Sequence, residues 1–313
     1  MIKIIPFLIL FFLKSQAIAQ SSKVIDVYIE KDTANYLAVN FEELFSERWD
    51  TLPQVKFWRQ VMDYRSDTCI VNIAATREIL GYESVTKWSS QTEIEKQLYK
   101  DSVRQIHQLD SITKIYITTG KKDFYLIEET FPSISKAIDL FQQFGTDPWF
   151  AQAILLIESP GKMAYSNAGA YGPFQLMKSV ARSHGLIVNR EIDERKDFYK
   201  SAKGASSLIS KVCIPEAKRI IEEMGVSYSE SDLWFKFLVL HIYHAGAGNV
   251  GGLIKQLEDQ KTGIELIAWM WQNEWGGFKN ASQNYSQVAI ASLLGLHELI
   301  YNKCDGIYDC NAY

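Results

Sequence analysis

The 313-residue chain lacks a strong charge of either sign. Lys and Arg total 33 against 37 for Asp and Glu, a formal charge of -4. That balance excludes a protein built mainly to neutralise phosphates, so no nucleic-acid partner is expected. Proline is scarce at seven residues and no tract is of low complexity, so no clear linker divides the chain. Neither C-x-x-C nor H-E-x-x-H occurs, which removes the commonest zinc signatures. No apolar run approaches the ~20 residues needed to span a bilayer.

What is present begins with residues 4–13 (IIPFLILFFL), an apolar run behind a short basic start and followed by Ala17-Ile18-Ala19. Small residues at that spacing suit signal peptidase, so residues 1–19 read as a leader and the protein as exported and periplasmic. Four cysteines remain, and an even count in an exported chain points to disulfides. Cys304 and Cys310 enclose five loop-like residues, making a local bridge the first expectation. Cys69 and Cys213 then either pair or stay as free buried thiols.

The remainder reads mainly α. Residues 33–49 and 92–109 have amphipathic helical spacing, whereas residues 114–119 (KIYITT) read as one short strand. Residues 20–120 are therefore expected to form a helical extension, a cap or a partner-binding surface, and residues 121–300 a second, catalytic unit.

Asp147-Pro148 is a good helix start, with an N-cap acceptor ahead of a residue that suits the first turn. The helix that follows, WFAQAILLIES, is apolar except for Gln152 until it reaches Glu158. A carboxylate at the end of such a helix is partly desolvated, which raises its pKa by one or two units above the ~4.3 of a free Glu and suits it to general acid work. The competing reading is a solvated residue ending a core helix. Beyond it lies a stretch of small residues around Ser166, Gly169, Gly172, Gln175 and Met177 that lets backbone approach a bulky ligand. Then come Asp193-Glu194-Arg195-Lys196-Asp197 and, at the end of a long apolar helix, Tyr243-His244-Ala245-Gly246.

These pieces resemble the lytic transglycosylases of glycoside hydrolase family 23, with their goose-lysozyme-like fold, and most of all the membrane-bound lytic transglycosylase D group. The family pattern runs E-S, a short loop, S-x-A-G-A-x-G-x-x-Q-x-M, D-x-R-x-D and Y-N-A-G, and the resemblance covers about residues 121–295. It implies a lysozyme-like fold in which Glu158 is the single catalytic acid and base. Ser166, Gln175, Met177, Tyr243 and Tyr285 would bind the saccharide. The implied partner is peptidoglycan glycan strands, with no cofactor, metal or nucleotide. The implied reaction cuts the β-1,4 bond between N-acetylmuramic acid and N-acetylglucosamine without water, leaving 1,6-anhydro ends. A lysozyme-like hydrolase and a non-catalytic glycan-binding scaffold are the alternatives. The chain departs from the pattern in four places: the loop before Ser166 is a residue short, Pro173 follows Gly172, His244 replaces the usual Asn, and Ala281-Ser282 replaces the usual E-T.

Other signals are weaker. Residues 246–251 match G-x-G-x-x-G, but without an alternating α/β chain the glycines read as a helix-ending turn. His241 and His244 share a helix face without a third ligand. Trp269, Trp271 and Trp275 suit either sugar stacking or core packing. Two Asn-x-Ser triplets, at Asn280 and Asn284, match a glycosylation acceptor only loosely.

Overall fold

The structure is a computed structural model and describes residues 22–29, 34–158, 166 and 169–302. The expected leader and the Cys304–Cys310 pair lie outside the described residues.

The chain opens with an antiparallel pair, β1 (Val24–Ile29) and β2 (Ala34–Val39), in the register Val24↔Val39. A short helix α1 (Glu43–Ser46) and α2 (Pro53–Asp63) follow. Next come β3 (Thr68–Ile73), β4 (Ile79–Ser84), α3 (Val85–Ser89), α4 (Glu93–Ile106) and β5 (Ile115–Thr119). Strands β4, β3 and β5 form one antiparallel sheet in that order. The rest of the described chain is helical: α5 (Ile127–Gln143), α6 (Pro148–Glu158), α7 (Lys178–Ser183) and α8 (Phe198–Leu208). A π-helical turn, Ile209–Cys213, leads into α9 (Ile214–Met224). Then follow α10 (Leu233–Ala245), α11 (Ala247–Ile254), α12 (Gly263–Met270) and α13 (Asn280–Asn302). The fold is mainly α, as expected.

Residues 20–120, expected to be a helical extension with one short strand, carry helices α1 to α4 and also the five strands found among the described residues, so the helical reading of this region is corrected. Residues 33–49 are not one helix, because Ala34–Val39 pairs with the Val- and Ile-rich β1. Spacing that fits a helix face is overridden by a β-branched partner strand and a buried surface to lie on. The helix at 92–109 and the strand at 114–119 are found, the former with a capping box in which Thr92 Oγ1 accepts from Glu95 N and Glu95 Oε2 accepts from Thr92 N.

The core is centred on α6, whose residues from Pro148 to Leu156 are all buried. The one polar residue in that run, Gln152, is fully buried and bonds both backbone groups of Val39: Oε1 accepts from its N–H at 2.8 Å and Nε2 donates to its carbonyl at 3.2 Å. An edge strand is thereby stitched to the central helix, with both ends of the amide satisfied. At the start of α6, Asp147 Oδ1 accepts from Trp149 N at 3.0 Å and Asp147 Oδ2 meets Lys236 Nζ of α10 at 3.1 Å. A second tie joins the small sheet to α13. The buried Arg77 guanidinium donates to Asn72 of β3 and to Asn280 and Asn284 of α13. With their side chains so engaged, and with Ser282 and Ser286 buried, the two Asn-x-Ser triplets are packing elements of a helix.

Cys69, on β3, and Cys213, in the π-turn, are both free and buried, which closes the choice left open by the sequence. Burial pushes the Cys213 thiol up to about 12, so it is inert. Gly246 ends α10 with φ near 83°, as the turn reading requires, and the later glycines of that run lie inside α11.

Candidate active site

Glu158 is the last residue of α6, where an apolar helix delivers its carboxyl to a dry position. Burial pushes its pKa up to about 7, opposed only by the Tyr285 hydroxyl. The shift has the expected sign and cause and is somewhat larger than the apolar helix alone suggests. No second carboxylate contributes to its electrostatics, and residues 159–168 of the loop that follows contain no Asp or Glu.

Three tyrosines sense the Glu158 charge. Tyr285, on α13, is buried, and its hydroxyl faces Glu158 without closing a hydrogen bond of ordinary geometry or finding another protein partner. Tyr243, on α10, donates from Oη to the Phe174 carbonyl at 2.6 Å. Tyr125, just before α5, feels both burial and the Glu158 charge, each raising its pKa. Sequence reading singled out the first two and missed Tyr125, which sits outside any motif and is brought in by the turn into α5.

The small-residue loop is held by an ion pair that the sequence flagged without giving it a role. Arg195, 3% exposed, forks onto Asp193 through Nε at 2.9 Å and Nη2 at 2.7 Å. Its Nη1 donates to the carbonyls of Gly169 and Leu176, each at 3.0 Å. A guanidinium is the one side chain that can bind a carboxylate in the plane and still satisfy two carbonyls. Gly172, at φ near 82°, is obligatory, because a Cβ there would come within 2.0 Å of the Arg195 carbonyl. Asp197 caps α8 by accepting from Lys200 N at 2.8 Å. Asp193, Arg195 and Asp197 are thus structural members of the site.

The remaining candidates surround this clamp. Ser166 Oγ accepts from Ala170 N at 3.0 Å, bracing the loop. Gln175 takes an αL backbone, φ near 45°, with Nε2 donating to the Gly172 carbonyl at 2.9 Å. Met177 caps α7 and is 41% exposed. Two departures from the expected pattern meet in space. His244 Nδ1 lies 3.2 Å from Ser282 Oγ, and its ring packs on that of Tyr285 with centroids 4.4 Å apart. His241, one turn earlier, shares a hydrogen bond with Ser286 Oγ at 2.8 Å, and burial pushes it down to about 3. Both histidines are packing groups of the α10–α13 seam. Trp271 is buried and donates to Ser286 Oγ at 2.8 Å.

Residues 137–265 match the family model of the Transglycosylase SLT domain. The matched stretch runs from within α5 to α12 and contains Glu158, the Arg195 clamp and Tyr243, while Tyr285 lies beyond it. Its mainly α architecture is consistent with a lysozyme-like domain, and similarity to this family supports an enzyme acting on peptidoglycan. No curated protein matches the chain.

Proposed function

We propose that the protein is an exported, periplasmic peptidoglycan lytic transglycosylase of the membrane-bound D type, with Glu158 as its only acid and base. The observation that carries this reading is a single desolvated carboxyl, raised to about 7, with no second carboxylate acting on it among the described residues. Ordinary glycosidases place two carboxylates across the bond. A lone one favours a route in which the substrate supplies the nucleophile.

Protonated Glu158 gives its proton to the glycosidic oxygen, the bond to the muramic C1 breaks, and N-acetylglucosamine leaves with a free 4-hydroxyl. The muramic 2-acetamide oxygen bonds to C1 and carries the positive charge. Glu158, now a carboxylate, removes the proton from the muramic 6-hydroxyl, whose oxygen attacks C1 and displaces the acetamide. The 1,6-anhydro ring closes, no water is consumed, and Glu158 is protonated again. Tyr285 is positioned to hold Glu158 in its charged interval, since it favours the carboxylate. Tyr243 and Arg195 keep the 169–176 loop in place, and Gln175 of that loop meets the saccharide together with Ser166 before it and Met177 after it.

Digestion of purified sacculi followed by mass spectrometry tests this. The expected products carry anhydromuramic ends. Exclusively reducing muramic ends make the protein a hydrolase, and no solubilisation makes it a binding scaffold.

A further inference from the structure

The tryptophan cluster that the catalytic reading leaves unused divides in the fold. Trp271 is core, but Trp275 is 48% exposed and walls a cavity of about 670 Å³ between α9, α11 and the loop after α11. None of Glu158, Gln175, Met177, Tyr243 or Tyr285 lines it. The volume falls within the 300–1,000 Å³ of small-ligand pockets.

Trp275 is a fixed platform. It is bridged to Phe278 by two backbone hydrogen bonds, Trp275 N to Phe278 O at 3.1 Å and the reverse at 2.7 Å. The turn between them is tied to α11, where Asn249 Oδ1 accepts from Gly277 N at 2.8 Å. The pyrrole edge of the indole rests on Gly252, where a Cβ would lie 2.0 Å from Nε1, so only glycine admits the ring. The indole N–H has no protein acceptor among the described residues. Ile220, Met224, Ile254 and Leu257 line the same cavity. The rim carries Arg219 and Lys255 against Glu223, Glu258 and Asp259, and Arg219 is already neutralised by Glu216 and Glu223.

A prepaid aromatic face suits a ligand with a flat C–H surface. An acidic rim disfavours phosphates and carboxylates. A neutral sugar ring, apolar on one face and rich in hydroxyl and acetamide groups at its edge, meets both conditions. We propose that this cavity is a second, non-catalytic glycan site that takes N-acetylhexosamine units, with Trp275 as its stacking platform. The proposal rests on the peptidoglycan reading above and adds a hold on the strand away from the cut.

The test uses 15N-labelled full chain carrying Glu158→Gln, titrated with chitotetraose. The Trp275 indole signal is the one that disappears in the Trp275→Phe variant. Saturable movement of that signal is the expected result, together with about tenfold weaker retention on sacculi for Trp275→Ala and recovery to within about threefold for Trp275→Phe, the range of one aromatic contact. If the backbone amides of Gly172, Phe174, Gln175 and Leu176 move and the Trp275 indole does not, the second site is wrong and the catalytic reading stands. If the indole responds only to peptide-bearing fragments, the site is not a sugar site. If the indole moves but wild type leaves sacculi intact, the catalytic reading fails instead.

Discussion

The end of α6 and the turn before α8 each present a half-buried glutamate, and the groups around them push the two carboxyls in opposite directions. Glu158 ends an apolar helix that is buried from Pro148 to Leu156, and its pKa is driven up to about 7 by lost solvation. Glu194 is half-buried, accepts from Ile187 N at 2.7 Å and pairs with Lys200, and those partners hold its carboxyl below the ordinary range. One carboxyl is a proton donor at neutral pH, while the other is a fixed anion. Glu191, the other glutamate near this turn, donates its backbone N–H to Asn189 Oδ1 at 2.9 Å. Position in the chain does not separate these glutamates as candidates, but solvation and donors do.

The sharpest way to break the contrast is to replace each residue in turn. Glu158→Gln keeps shape and removes the transferable proton, so the rate of sacculus solubilisation should fall at least ~10²-fold. Glu194→Gln should leave the rate within a few-fold. A near-normal rate for Glu158→Gln would move the acid elsewhere.

The next effect is on stability. Arg195→Met leaves Asp193 and two loop carbonyls without their donor, and a broken buried pair costs about 3–5 kcal/mol. Urea unfolding should show this as a lower midpoint, with Asp193→Asn/Arg195→Met less damaged than Arg195→Met alone. Exposed Lys200→Met should shift the midpoint far less.

Burial of Glu158 also has a cost, and its sign is fixed by linkage. The fold holds the Glu158 proton more tightly than the unfolded chain does. Its contribution is therefore most favourable below the unfolded pKa of ~4.3 and is lost as pH rises from there to about 7. At pH 8 the penalty is on the order of 3 kcal/mol. Glu158→Gln should accordingly be more stable than wild type at pH 8 and equal to it at pH 4, as read from paired thermal scans. The smallest expected effect concerns Tyr285, which lowers the Glu158 pKa. Tyr285→Phe should move the falling limb of kcat/KM to higher pH by roughly half a unit, the worth of one weak hydrogen bond.

Much of the catalytic half was legible in the sequence. Asp147-Pro148 and an apolar run interrupted only by Gln152 pointed to α6 and to the desolvated end at Glu158, because burial and capping are written in consecutive residues. The clamp was visible as residues but not as a role: nothing in Asp193-Glu194-Arg195 says that the guanidinium reaches back to Gly169 and Leu176. Tyr125 was invisible for the same reason, being delivered by a turn. In the N-terminal half, β2 was read as a helix because Ala, Leu and Tyr at that spacing fit either element, and only the partner strand and the Gln152 amide decide between them. His244 and Ser282 read as two separate departures and are one contact.

Burial makes Glu158 a proton donor at neutral pH, and its carboxyl can be titrated directly. In a protein labelled with 13C at the glutamate side-chain carboxyl, the Glu158 resonance is identified by its loss in Glu158→Gln. A midpoint near 7, with Glu194 titrating below 4.5, is the predicted result. A Glu158 midpoint at the free-glutamate value of ~4.3 would contradict it.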